Sequence, residues 1–200
     1  MVNGLKYSTT IKSRDYMYLY LKKAVSLYIS GISEVELKER ATKENLFQVN
    51  SESRKKEIAA TVIQRIHLLD PYLMEAMIDS DLESSKVIAL YTVIKTDRLF
   101  FEFMNEVFKD KVLFGDMVLM DKDFNLFFET KAKQSEVIAK WKDYTFYKLQ
   151  QVYIRILFEA GLLKNKKGDR EILLPILDPE IKSHIENKGD TIYLQAMGVK

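Results

Sequence analysis

The amino-acid sequence predicts a mainly α-helical protein: a helical N-terminal bundle over residues 1–110, then a winged helix-turn-helix module with a small β-hairpin over residues 111–200. Three observations carry this. Apolar residues recur at three- and four-residue steps through most of the chain, which gathers them on one face of successive helices. Ser, Asp, Gly and Pro stand at the ends of those stripes, where caps and breakers belong. From Ser135 to Leu174, a short helix, a turn, a long helix and a basic reversal follow one another with no residue to spare.

Taken in order, Tyr7 to Thr10 lead into a helix expected from about Lys12 to Ser30, with Tyr16, Leu19, Tyr20, Ala24, Leu27 and Tyr28 inward and Gly31 at its end. Ser33 caps a second helix, with Glu34 and Glu36 favouring its positive end. A third starts at Ser51 or Ser53 and runs to Leu69 on the stripe Ile58, Val62, Ile63, Ile66. Arg54, Lys55 and Lys56 crowd its first turn, against the helix dipole; either a phosphate balances them or they form a solvated turn in which surface charges cost little. Asp70-Pro71 opens another helix, Pro being tolerated at a first helical position. Leu82 to Phe108 is the most apolar region, one helix or two joined near Thr96. Inside it Asp97 and Arg98 are expected to form a buried pair that acts as an architectural lock.

Leu113 to Met120 can supply a short strand, and Asp121 or Asp123 caps a helix containing Phe124, Phe127 and Phe128. Ser135 to Trp141 is a short amphipathic segment. In the long helix, Thr145 to Ala160, the stripe is Phe146, Leu149, Val152, Tyr153, Ile156, Leu157 and Ala160; Asp143 or Thr145 can cap it, and Gly161 suits the left-handed position past its end. Leu162-Leu163 and Ile172 to Leu174 flank a tight reversal containing Asn165, Gly168 and Asp169. Asp178-Pro179-Glu180 then opens a helix to about Asn187, and Ile192, Tyr193 and Leu194 dock the terminus.

Composition narrows the function. Hydrophobic residues make up 47% of the 200, enough for a sizeable core. There is no cysteine, and His67 and His184 are the only imidazoles, so a zinc-built fold is excluded and a reducing cytoplasm is the natural home. His67 reads as a packed or surface histidine. No apolar run approaches the roughly 20 residues that span a bilayer, so no membrane association is expected. The net charge of +2 hides an uneven distribution: residues 1–67 hold 12 Lys and Arg against 7 Asp and Glu, residues 68–133 hold 8 against 13, and residues 134–174 hold 8 against 5.

Two cationic surfaces joined by an acidic middle suggest a nucleic-acid binder. Arg54, Lys55 and Lys56 would form one surface. On the long helix Lys148, Gln150, Gln151 and Arg155 would meet a DNA groove, while Lys164, Lys166, Lys167 and Arg170 touch phosphate or the minor groove. Gln150 and Gln151 can pair with adenine in the major groove. The competing reading is a protein-interaction adaptor that uses the acidic middle and helix faces. No phosphate-binding glycine loop, convincing Ser/His/Asp order or paired-carboxylate metal signature is present, so neither an enzyme nor a bound cofactor is expected.

Several segments also carry a resemblance. Tyr7-Ser8, Glu44-Asn45-Leu46-Phe47-Gln48, Ser53-Arg54-Lys55, Leu90-Tyr91, Lys95-Thr96-Asp97-Arg98-Leu99, Phe103-Met104, Glu159-Ala160-Gly161-Leu162-Leu163 and the Ile176 to Glu180 segment together resemble the BrxA family. The resemblance implies a small cytoplasmic component of BREX bacteriophage-exclusion systems, one that binds double-stranded DNA and works beside other BREX proteins. It also brings a comparison with the RNA-binding antitermination protein NusB. It transfers no catalytic residue to this sequence and leaves self-association open.

Overall fold

The computed structural model describes residues 4–199; residues 1–3 and 200, the outer ends of the two expected parts, lie outside the described residues. The chain is mainly helical, with a small two-stranded antiparallel sheet. Helices α1 (Tyr18–Ile29), α2 (Glu34–Lys43), α3 (Glu52–Ile66), α4 (Pro71–Asp79) and α5 (Leu82–Thr96) come first. Ser33, Ser51, Asp70 and Asp81 each accept from a first-turn amide of the helix that follows. These bonds pair donors that the helix cannot satisfy itself. From Ser84 to Ile94, α5 is buried on nearly every face, as a central core helix must be. Its hydroxyls are satisfied there: Ser85 donates to the Met77 carbonyl at 2.6 Å and Thr92 to the Ala89 carbonyl at 2.7 Å.

The first helix departs from its sequence pattern. Thr10–Lys12 form only a 3-10 turn, and α1 begins at Tyr18 rather than near Lys12. The cause lies far away in sequence. Arg65 on α3, 2% exposed, donates to the carbonyls of Tyr16 and Arg14 at 2.7 Å and of Asp15 at 2.5 Å. Those carbonyls therefore serve a guanidinium rather than a helical ladder, and Met17 turns the chain with φ 51°, in the left-handed region. This resets the phase of the helix: Leu19, expected inward, is 74% exposed, and Leu21 and Val25 fill the core.

Asp97 ends α5 and starts α6 (Arg98–Phe103), which runs through a π-helical stretch (Met104–Phe108) into α7 (Lys109–Phe114). The boundary expected after residue 110 falls inside this continuous run, and Leu113, expected at the start of a strand, is helical. The expected Asp97–Arg98 pair does not form. Asp97 accepts instead from the Phe100 amide at 2.9 Å, as an N-cap. Arg98 turns to Glu102 at 2.8 Å, and its guanidinium lies 4.1 Å over the Tyr7 ring. Glu102 also receives the Tyr7 hydroxyl at 2.9 Å and Lys131 at 2.8 Å, which ties the N-terminal segment to the helix carrying Lys131.

The remaining elements are β1 (Val118–Leu119), α8 (Asp121–Gln134), α9 (Glu136–Ala139), α10 (Asp143–Glu159), β2 (Arg170–Glu171), α11 (Pro179–Asn187) and α12 (Thr191–Ala196). Strand β1 pairs antiparallel with β2, Val118 opposite Glu171 and Leu119 opposite Arg170. The hairpin expected within residues 162–174 narrows to one bridge, Leu163 to Ile172, and the strand partner of β2 comes from ahead of α8. Neither Asp143 nor Thr145 caps α10, which follows Lys142 without a side-chain cap; Gly161 does take the left-handed turn at φ 85°. At α8, Asp123 acts from inside the first turn by accepting the Met120 amide at 2.7 Å. Aromatic rings join the halves: Phe100 meets Tyr153 and Phe103 meets Phe124, each at 4.8 Å between centroids. The terminus docks through Tyr193 and Leu194, while Ile192 stays exposed. There Tyr91 donates to Asp190, which Lys95 meets at 2.7 Å.

Candidate nucleic-acid interface

The structure divides the basic candidates by what each side chain already holds. Arg54 pairs with Glu57 at 3.0 Å and donates to the Ser13 carbonyl. Lys55 pairs with Glu52 at 2.5 Å, and only 14% of its side chain is exposed. The charge that a phosphate was expected to supply in this first turn comes from two carboxylates of the same helix. Lys56 alone of the three is exposed, with no ion pair among the described residues.

Arg155 reaches Asp15 at 2.5 Å across a groove of about 760 Å³ that Arg54, Lys86, Tyr18 and Phe158 also line. The two basic segments thus meet there, each with its guanidinium engaged. Arg170 corrects the sequence expectation. It is 5% exposed and donates to Asp121 at 2.8 Å and to the Lys166 carbonyl at 3.2 Å, so it braces the sheet rather than standing open on the surface. Gln150 donates to the same Asp121 at 2.7 Å.

Other candidates stand free. Lys148 is exposed, with its ammonium 5.2 Å from the Tyr144 ring centroid, and Tyr144 and Tyr147 are themselves exposed beside it. Gln151 is exposed on the same face. In the reversal, Asn165 donates to the Lys167 carbonyl at 2.7 Å and the Asp169 carbonyl at 3.0 Å. The turn is therefore closed by an asparagine, with its lysines pointing outward. Lys167 is exposed and unpaired among the described residues, Lys166 lies 4.9 Å over the Phe158 ring, and Lys164 meets Glu171 at 2.7 Å on the open surface. A surface pair of that kind holds its partner weakly.

Two residues escaped the sequence reading. Lys140 and Lys142 flank Trp141 in the turn between α9 and α10, both exposed and without an ion pair among the described residues. Trp141 packs toward the core beside Phe146, 6.1 Å away, and anchors the turn that presents them. The signal was an alternation of lysine and tryptophan at a helix start. Lys142 sits at the N-cap of α10, where the dipole favours an anion.

His67 faces Glu34, and His184 meets Asp70 at 2.8 Å, its ring tilted against Tyr72 at 4.3 Å between centroids. No cluster of three or more His, Cys, Asp and Glu suited to a metal occurs among the described residues. Among them, no helix is long and apolar enough to cross a membrane.

Comparison with known proteins follows this geometry along nearly the whole chain. The BREX protein BrxA of Bacillus cereus (strain H3081.97) is 57% identical over 197 residues, 98% of each chain. The BREX protein BrxA of Paramagnetospirillum magneticum (strain ATCC 700264 / AMB-1) is 21% identical over 86% of each. The crystal structure of an uncharacterized protein from Magnetospirillum magneticum superposes with a TM-score of 0.80 at 19% identity, covering 98% of this chain and 100% of that one, and so shares the fold. The BrxA family model matches residues 5–189, and with that span and the 57% identical relative the chain belongs to the BrxA family.

Proposed function

We propose that this chain serves BREX bacteriophage defence as a non-enzymatic, cytoplasmic component that binds duplex DNA beside other BREX proteins. The observation that supports it is the exposure of Lys148 and Gln151 on one face of α10, with Lys140 and Lys142 exposed in the turn that leads into it. The reversal with Lys166 and Lys167 follows α10 in the chain. On this reading α8, α9 and α10 act as the three helices of a winged helix-turn-helix. The segment bridged at Leu163 and Ile172 is its wing. Helix α10 would lie in the major groove, with the lysines on phosphates and Gln151 on a base edge.

Gel shift of the purified chain on duplex DNA, duplex RNA and single strands tests this, with duplex DNA expected to shift. Replacing Lys164, Lys166 and Lys167 by Ala should weaken binding to every duplex alike. It should lower the slope of log K against log salt by about 2.7, since each phosphate contact contributes about 0.9. Binding to RNA alone would favour the NusB-like reading. A triple variant with the parent's affinity and slope would remove the wing from the interface.

A further inference from the structure

The groove between α7 and α8, about 390 Å³, lies outside the proposed DNA surface and has a different character. Phe114 and Leu126, 80% and 66% exposed, face it, and the adjoining Leu113 is 73% exposed. Large apolar side chains that cluster on a surface with a polar rim mark contact sites. The backbone that carries Phe114 is capped: Gly115 ends α7 at φ 74°, and the Asp116 amide returns to the Lys111 carbonyl at 2.9 Å. That C-cap holds the exposed ring on a rigid helix end.

The rim is acidic. Glu106, Asp110, Asp116 and Asp123 line the groove with a single cation, Lys111, which is 9% exposed and already clasped by Asp116 at 2.7 Å and Asp123 at 3.0 Å. Lys131, which meets Glu106 at 2.5 Å, is likewise buried and shared with Glu102. Lys122 adds an attraction to Asp116 from the start of α8. Lys111 and Lys131 are therefore turned inward, Lys122 stands exposed beside Asp116, and the four carboxylates of the rim outnumber these three cations around the apolar floor.

We infer that this groove docks a basic amphipathic helix of a partner protein, its apolar side against Phe114 and Leu126 and its Lys or Arg residues on the carboxylate rim. Charge complementarity selects this occupant. A nucleic acid would meet like charge, and so would a second copy presenting the same groove across a two-fold axis. An amphipathic helix in an apolar groove is a recurrent mode of recognition that needs little rearrangement of the receptor. The inference is independent of the DNA reading.

Fluorescence anisotropy tests it with a fluorescein-labelled helical peptide of leucine and lysine and with its leucine–glutamate counterpart, each titrated with the full chain. The leucine–lysine peptide should bind saturably and at least about tenfold more tightly than the counterpart. Phe114→Ser with Leu126→Ser should weaken that binding at least about tenfold, with duplex DNA binding and melting temperature unchanged. Asp110→Asn should weaken it less. Equal binding of both peptides, or full binding by the double serine variant, would overturn the inference. So would a dimer in sedimentation that the double variant abolishes, because the groove would then belong to a second copy.

Discussion

Arg54-Lys55-Lys56 and Lys164-Asn165-Lys166-Lys167 look alike as text, yet the structure uses them oppositely. The first run lies in a helical turn with Glu52 and Glu57 three residues away on either side, and Lys55 and Arg54 fold onto them. The second lies in a reversal that Asn165 closes with its own side chain, so the lysines meet only a ring and a surface carboxylate. Carboxylates at helical i±3 spacing turn a cationic run inward. A turn closed by a neutral side chain leaves its cations available. Arg65 marks the far end of this scale, a guanidinium fully enclosed and spent on backbone carbonyls.

The largest effect should come from that enclosed cation. Burial pulls the Arg65 pKa down to about 10, so the group stays charged at neutral pH. Arg65→Met would leave the Arg14, Asp15 and Tyr16 carbonyls without their donor, and each buried orphan costs about 1–3 kcal/mol. Urea unfolding should show a loss of at least about 3 kcal/mol. A smaller loss would mean that the 14–17 segment relaxes into the helix its sequence suggests.

Asp97 comes next. Burial pushes its carboxyl from 3.8 up to about 6, against the amides of Phe100 and Leu99 and the charge of Arg65. The folded state therefore holds a proton that the unfolded state releases. Stability from this group is full below about pH 4 and is lost as pH rises through 6, a change of about 3 kcal/mol. Asp97→Asn keeps an acceptor for the Phe100 amide and removes the titration. It should raise stability above pH 6 by up to about 3 kcal/mol and flatten the profile between pH 4 and 6. Urea midpoints at pH 4.5 and 7.5 that shift equally in parent and variant would refute the assignment.

How far the sequence could be read follows from the range of the interactions involved. Helix starts at Ser33, Ser51, Asp70 and Asp178 were legible because the side chain and the amide it serves lie within three residues, as they also do at Asp81, which the sequence pattern did not mark. The break before α1 was not, since Arg65 is 49 residues from Tyr16. Nor was the partner of β2, which comes from ahead of α8. In the candidate site, exposure of Lys148, Gln151 and Lys167 followed from helix phase and turn chemistry. Arg170 looked like one more lysine of the loop. Its enclosure depends on Asp121, 49 residues earlier. Lys140 and Lys142 lie in the connection between α9 and α10, where no helical periodicity indicates their exposure.

The contrast between the two basic runs is sharpened most by the cations around α10. Lys140→Ala with Lys142→Ala and Lys148→Ala should leave the melting temperature unchanged, since all three are exposed. If each holds a phosphate, the salt slope of duplex binding should fall by about 2.7, the same loss expected of the wing lysines. An unchanged slope would detach α10 from the duplex and leave the wing as the sole contact.

The smallest effect should come from the run that the helix has already neutralised. Arg54→Ala removes one ion pair to Glu57 and one bond to the Ser13 carbonyl; its side chain is 32% exposed and that of Glu57 27%. Glu57 keeps two other contacts, Ser13 at 2.5 Å and Arg14 at 3.8 Å, so its carboxylate is not orphaned. The cost to stability should then stay near that of a partly exposed pair, about 1 kcal/mol or less. Duplex affinity and salt slope should not move, because a guanidinium engaged inside the fold releases no counterion from DNA. A drop in the slope of about 0.9 on this single change would mean that Arg54 leaves Glu57 for phosphate, and the division between structural and available cations would fail at its clearest case.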